Sequence, residues 1–141
     1  MNSNWVWFAL GSALFAALTA IFGKLGVVGL NSNLATFIRT IVILGVIAAI
    51  LTLRGEWRST EQVSLRSWCF LILSGVATGL SWLCYYRALQ LGPVSRVAPL
   101  DKLSVALTIV LSVLVLGETL TWPVAVGGLL IVAGSLIMIV F

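Results

Sequence analysis

Five ionisable side chains stand where lipid must be the solvent. Lys24, Arg39, Arg87, Asp101 and Lys102 lie inside, or close to the ends of, long apolar runs. A charge at the centre of a bilayer costs about 2.5–3.5 kcal/mol on insertion scales, so such residues are functional groups by default. Four cations against one carboxylate leave an excess of positive charge, which suits an anionic or zwitterionic small-molecule substrate. Asp101 and Lys102 are adjacent, so on a continuous helix they point about 100° apart and are expected to take different partners. For Asp101 the expected partner is a cation of another helix, Arg39 or Arg87. Lys24 and Arg96 are near enough to helix ends for their side chains to snorkel to the interface.

Other residues add surface to this charged level. Trp82 and Tyr86, with Tyr85 on the adjoining stripe, follow helical spacing and could form an aromatic wall of a substrate cavity. Pro99 has no N–H, so it frees the carbonyl of Ser95 and permits a kink or an unwound turn beside the charges. Glu118 lies at the far end of its run and suits ordering a turn or gating more than central binding. Gly75 and Gly79 form a GxxxG pattern, and Gly127, Gly128 and Gly134 lie on the last run; both sets allow close helix approach. With no histidine and only Cys69 and Cys84, which are about 22 Å apart on a straight helix, neither a metal site nor a disulfide between them is expected. No cofactor is implied, and no nucleophile–base arrangement is present, so an enzyme is not the expected class.

The elements that position these groups follow from composition. The chain is 61% apolar and 9% charged with a mean hydropathy of +1.18, far outside the range of soluble domains. Roughly 20 apolar residues are needed to cross about 30 Å of hydrocarbon, and the sequence supplies such a run at about 5–28, 34–53, 67–91, 94–116 and 121–141. The expected fold is all-α and integral to the membrane, with five transmembrane helices in one domain over 1–141. Asn31-Ser32-Asn33 and Gly117-Glu118-Thr119 read as turns, and Gly92-Pro93 breaks the chain between the third and fourth spans. Thr121 reads as an N-cap with Pro123 in the first turn behind it. The opening Met1-Asn-Ser-Asn has no basic n-region, so the first span is expected to be retained.

Arg54, Glu56, Arg58, Glu61 and Arg66 make the one substantial polar loop, which the positive-inside rule assigns to the cytoplasm. The cations at the opposite helix ends weaken that bias, so both orientations are compatible with the charge pattern. The net charge of +4 is dispersed through apolar segments and forms no basic face, which argues against a nucleic-acid partner. Up-and-down topology brings the five intramembrane charges to a similar level of the membrane.

The segment from Trp82 through Tyr85-Tyr86-Arg87-Ala-Leu-Gln-Leu-Gly-Pro93 to Ala98-Pro-Leu-Asp-Lys102, followed by Leu116-Gly-Glu118, resembles the second half of an EamA domain of the drug/metabolite transporter superfamily. Ala13 to Gly26, containing Phe22-Gly-Lys24, and Asn33-Leu-Ala-Thr-Phe-Ile-Arg39 are similar to that family's first two helices. The resemblance covers essentially the whole chain. It implies transport of small metabolites by alternating access, in the cell inner membrane and without a chemical reaction. Many relatives carry two such domains of inverted topology, so a single-domain form implies a homodimer, with antiparallel subunits as one arrangement. A scaffold or accessory subunit without transport activity, and a flippase for a phosphate-bearing lipid-linked substrate, are the alternatives.

Overall fold

The computed structural model describes residues 4–57 and 63–141. Arg58 and Glu61 of the polar loop lie outside the described residues. The described residues are helical without a strand: α1 (Asn4–Gly26), α2 (Ser32–Arg54), α3 (Leu65–Leu91), α4 (Val94–Asp101), α5 (Leu103–Leu116) and α6 (Trp122–Val140). Five spans are long and apolar enough to cross a membrane, with α4 and α5 together forming the fourth. Most of their large apolar side chains point outward, as expected where hydrocarbon replaces water around the protein.

The chain divides into two compact units. One is Gly23–Gln90; the other combines the described residues up to Phe22 with Leu91–Phe141. In the first, Val27, Ser32, Ala35, Thr36, Tyr86 and Leu89 are buried. These residues lie where α1 ends, α2 begins and α3 ends, so the core of this unit is at one end of the helices. Apolar area supplies little drive for helix association in lipid, and small residues and hydrogen bonds decide where helices meet. Both are concentrated at this end. An ideal Cβ on Gly23 would sit 3.1 Å from Tyr86 Oη, so the absent side chain lets the Tyr86 ring lie flush against the last turn of α1, and a methyl there would shift the ring by a few tenths of an ångström. Asn31 caps α2, its side-chain oxygen accepting from the N–H groups of Asn33 at 2.9 Å and Leu34 at 3.4 Å.

In the second unit α6 packs against both α4 and α5. An ideal Cβ on Gly128 would lie 3.0 Å from Ile109 Cδ1, and buried Ser135 donates to the carbonyl of Pro99 at 2.9 Å. The fourth span is broken. Lys102 separates α4 from α5, its N–H turning back to Pro99 O at 3.0 Å while Val105 N–H bonds to its carbonyl at 3.0 Å. The interruption expected from Pro99 thus falls three residues after the proline, where the ladder tightens to an i−3 bond. Gly117 closes α5 with φ +70°, and Thr121 stands at the N-cap of α6 without a side-chain capping bond. At Gly75, Gly79, Gly127 and Gly134 an added Cβ would meet nothing within 4 Å, in contrast to Gly23 and Gly128.

Candidate functional site

Arg39 leaves α2 seven residues after Ser32, roughly 10 Å along the helix at 1.5 Å per residue. Its guanidinium lies over the indole of Trp82, 3.7 Å from the ring centroid, and 5.4 Å from the ring of Tyr86. Trp82 and Tyr86 are four residues apart on α3, so both rings face the same way and receive one cation between them. A cation over such rings gains about 0.5–1 kcal/mol where exposed and about 2 kcal/mol when desolvated, which for the half-buried Arg39 offsets part of the cost of a charge in an apolar span. Tyr85 packs edge-on to Tyr86, with centroids 6.4 Å apart and planes at 62°.

Lys24 and Arg87 belong to a different arrangement at the end of the same unit. Lys24 Nζ donates to the carbonyl of Leu89, so the last turn of α1 is tied to the last turn of α3. Gln90 returns the connection, its Nε2 donating to the carbonyls of Val27 at 3.3 Å and Leu30. Arg87 Nη1 donates to Gln90 Oε1 at 3.0 Å. These are carbonyls that helix ends leave without an intrahelical partner, and cations there also meet the negative ends of the helix dipoles. The result is a reciprocal clasp. It borders a cavity of about 350 Å³ lined by Lys24, Val27, Val28, Gly29, Arg87 and Gln90. A second, open and mainly apolar cavity of about 430 Å³ lies between α2 and α3, lined among others by Thr36, Phe37, Thr40, Gly79 and Leu83.

In the other unit Lys102 Nζ pairs with Asp101 Oδ2 at 3.5 Å. This corrects the expectation of separate partners. The 100° separation assumes a continuous helix, whereas α4 ends at Asp101 and Lys102 is the junction residue, from which a long side chain can reach back to its neighbour. Pro99 contributes the carbonyl that Ser135 and Lys102 N–H share. Arg96 Nη2 donates to Phe141 O at 3.4 Å. Glu118 is exposed in the turn after α5, its N–H bonded to Ser112 O at 3.2 Å.

Sequence reasoning missed Gln90 as an organising residue. Its signal was the three-residue step from Arg87, which puts the two side chains on one helix face, but the carbonyls it serves carry no side-chain signature.

Five apolar spans, with polar side chains drawn together at helix ends, define a multi-pass helical membrane protein. The chain belongs to the EamA-like transporter family, whose model matches residues 3–140. It is 52% identical over 141 residues to a Sinorhizobium sp. protein named "uncharacterized transporter in cobO 3'region", covering 100% of both chains. It is also 39% identical over 69 residues to an uncharacterized protein of Methanocaldococcus jannaschii, covering 49% of this chain and 50% of that one. No solved structure matches it. Family membership and the name of the Sinorhizobium relative support a membrane transporter.

Proposed function

We propose that this chain is a half-size secondary transporter of a small anionic or zwitterionic metabolite, working by alternating access as a dimer in the cytoplasmic membrane and catalysing no chemical step. The observation that carries the reading is the Arg39 guanidinium held against Trp82 and Tyr86 within the span. Within the Gly23–Gln90 unit Lys24 and Arg87 serve at the end of the helices through the clasp; in the other unit the Asp101–Lys102 pair marks the broken fourth span. Discontinuous helices at membrane depth are characteristic of substrate and ion pathways, because irregular backbone is tolerated where it lines a cavity. Glu118 and Pro99 belong to the turn and the break that let segments move.

The odd number of spans in the described residues supports the dimer. A five-span unit paired with an inverted copy reproduces the symmetry that transporters use to open alternately to either side. The weak asymmetry of loop charge supports insertion in both orientations. The test is solute uptake into liposomes containing the purified protein, with anionic, zwitterionic and neutral solutes compared, and cysteine crosslinking through Cys69 and Cys84 to read subunit orientation. Uptake of an anionic or zwitterionic solute, with crosslinks between two copies of this chain, supports the proposal. Absence of any uptake, with obligatory capture of a different membrane protein, would replace it with the scaffold reading.

A further inference from the structure

We infer that the cavity at the clasp of the Gly23–Gln90 unit is a binding site for a terminal phosphate group, held by Arg87 and Lys24. Such a site is separate from Arg39 and its rings, and it holds its ligand whether or not the chain moves a solute.

Two cations from different helices line this one cavity of about 350 Å³, and Gln90 with the turn Val27-Val28-Gly29 completes its wall; no carboxylate is among the lining residues. The space is roughly ten times the liquid volume of one water, enough for a tetrahedral oxyanion and part of its hydration shell. The clasp leaves both charges in place, because Lys24 donates to Leu89 O and Arg87 to Gln90 Oε1, and these acceptors are neutral. The Gln90 amide nitrogen spends its two hydrogens on the carbonyls of Val27 and Leu30. Arg87 is exposed and gives one of its five N–H groups to Gln90, so the four others still include a parallel pair.

Charge and oxygen count together select the anion. Helix termini carry roughly half a unit each, negative at the C-terminal ends of α1 and α3 and positive at the N-terminal end of α2, all of which meet here. Set against two cations, they leave an excess of about +1.5 around the cavity. A carboxylate brings one unit and two oxygens, both of which the Arg87 pair occupies. A terminal phosphate brings about −1.5 to −2 at neutral pH and three oxygens, so two can face Arg87 while the third turns to Lys24 on the other helix. Location supplies the source. Val28 and Gly29 are exposed in the non-helical turn between the first two spans, and lipid-exposed irregular backbone lies outside the hydrocarbon, so the cavity is at the level of lipid headgroups. Basic pockets between membrane helices at this level suit phosphate headgroups, and Val28, 73% exposed, gives the cavity an apolar lip for an attached chain.

The experiment measures binding to the purified full chain in an uncharged, phosphate-free maltoside detergent, by calorimetry, of four probes: inorganic phosphate, acetate, hexyl phosphate and hexanoate. Each phosphate is expected to bind roughly 10-fold tighter than the carboxylate of equal chain, the worth of one further charged hydrogen bond. Hexyl phosphate binding tighter than inorganic phosphate identifies a lipid headgroup as the source, and equal affinity of the two identifies free phosphate. Arg87→Gln and Lys24→Gln are each expected to weaken the phosphates roughly 10-fold or more. Arg66, near the start of α3 and 5.8 Å from the ring of Phe70, is outside the cavity, so Arg66→Gln should leave these affinities unchanged. Should a glutamine variant not fold, Arg87→Lys, which keeps the charge and gives up the parallel pair, is expected to weaken the phosphates as well. Carboxylates binding as tightly as phosphates, no binding of either phosphate, unaltered affinity in a folded Arg87 or Lys24 variant, or an equal loss in Arg66→Gln overturns the site.

Discussion

Replacing Gln90 by Leu tests whether hydrogen bonds, and not apolar area, hold the end of the Gly23–Gln90 unit together. Gln90 makes three hydrogen bonds, to the carbonyls of Val27 and Leu30 and from Arg87. Leucine has a similar volume and makes none. Side-chain hydrogen bonds between membrane helices average about 0.6 kcal/mol and reach about 1.7 kcal/mol, so the loss should be roughly 2 kcal/mol. The lower end is favoured because Val27 and Leu30 lie just past the last turn of α1, where water can replace Gln90. The assay is unfolding in mixed micelles of rising dodecyl sulfate content, followed by circular dichroism. Arg87→Met, alone and combined with Gln90→Leu, completes a double-mutant cycle in which the 3.0 Å bond between them should appear as a coupling of roughly 0.6 kcal/mol or more. A Gln90→Leu protein within about 0.5 kcal/mol of the parent would refute the clasp as a stabilising element, since surface changes of no consequence fall in that range.

Three further outcomes can be read by the same assay. Asn31→Ala should cost about 1 kcal/mol, because Asn31 bonds two backbone N–H groups, while Thr121→Ala should stay within about 0.5 kcal/mol, because Thr121 occupies an N-cap without making the bond. Gly23→Ala should be near neutral, a helix-propensity gain of about 1 kcal/mol set against a shift of Tyr86, whereas Gly23→Leu should cost roughly 1–3 kcal/mol by displacing that ring. Ser135→Ala should cost about 1 kcal/mol, the worth of its buried bond to Pro99 O, with the change seen as faster amide exchange around Lys102.

Much of this molecule is legible without coordinates because the determining signals are local. Runs of apolar residues long enough to cross a bilayer fix the spans, and the turns at Gly92-Pro93 and Gly117 follow from position, whereas Pro99 permits a kink without placing it, and the fourth span, read as one run over 94–116, breaks at Lys102. Charges inside apolar runs also announce themselves, since the bilayer makes them costly in any fold. What each charge is paired with is not local. The rotation of α2 against α3 brings Arg39 onto Trp82 and Tyr86. Lys24 and Gln90 are satisfied by backbone carbonyls, which every residue possesses and no sequence pattern marks. Asp101 and Lys102 meet because the helix stops between them, against the angular separation of an unbroken one. Sequence by itself determined a five-span membrane protein with an excess of intramembrane cations; tertiary structure decided which cations tie helices together and that Arg39 stacks on rings, because partner choice depends on helix rotation and on where carbonyls are left open.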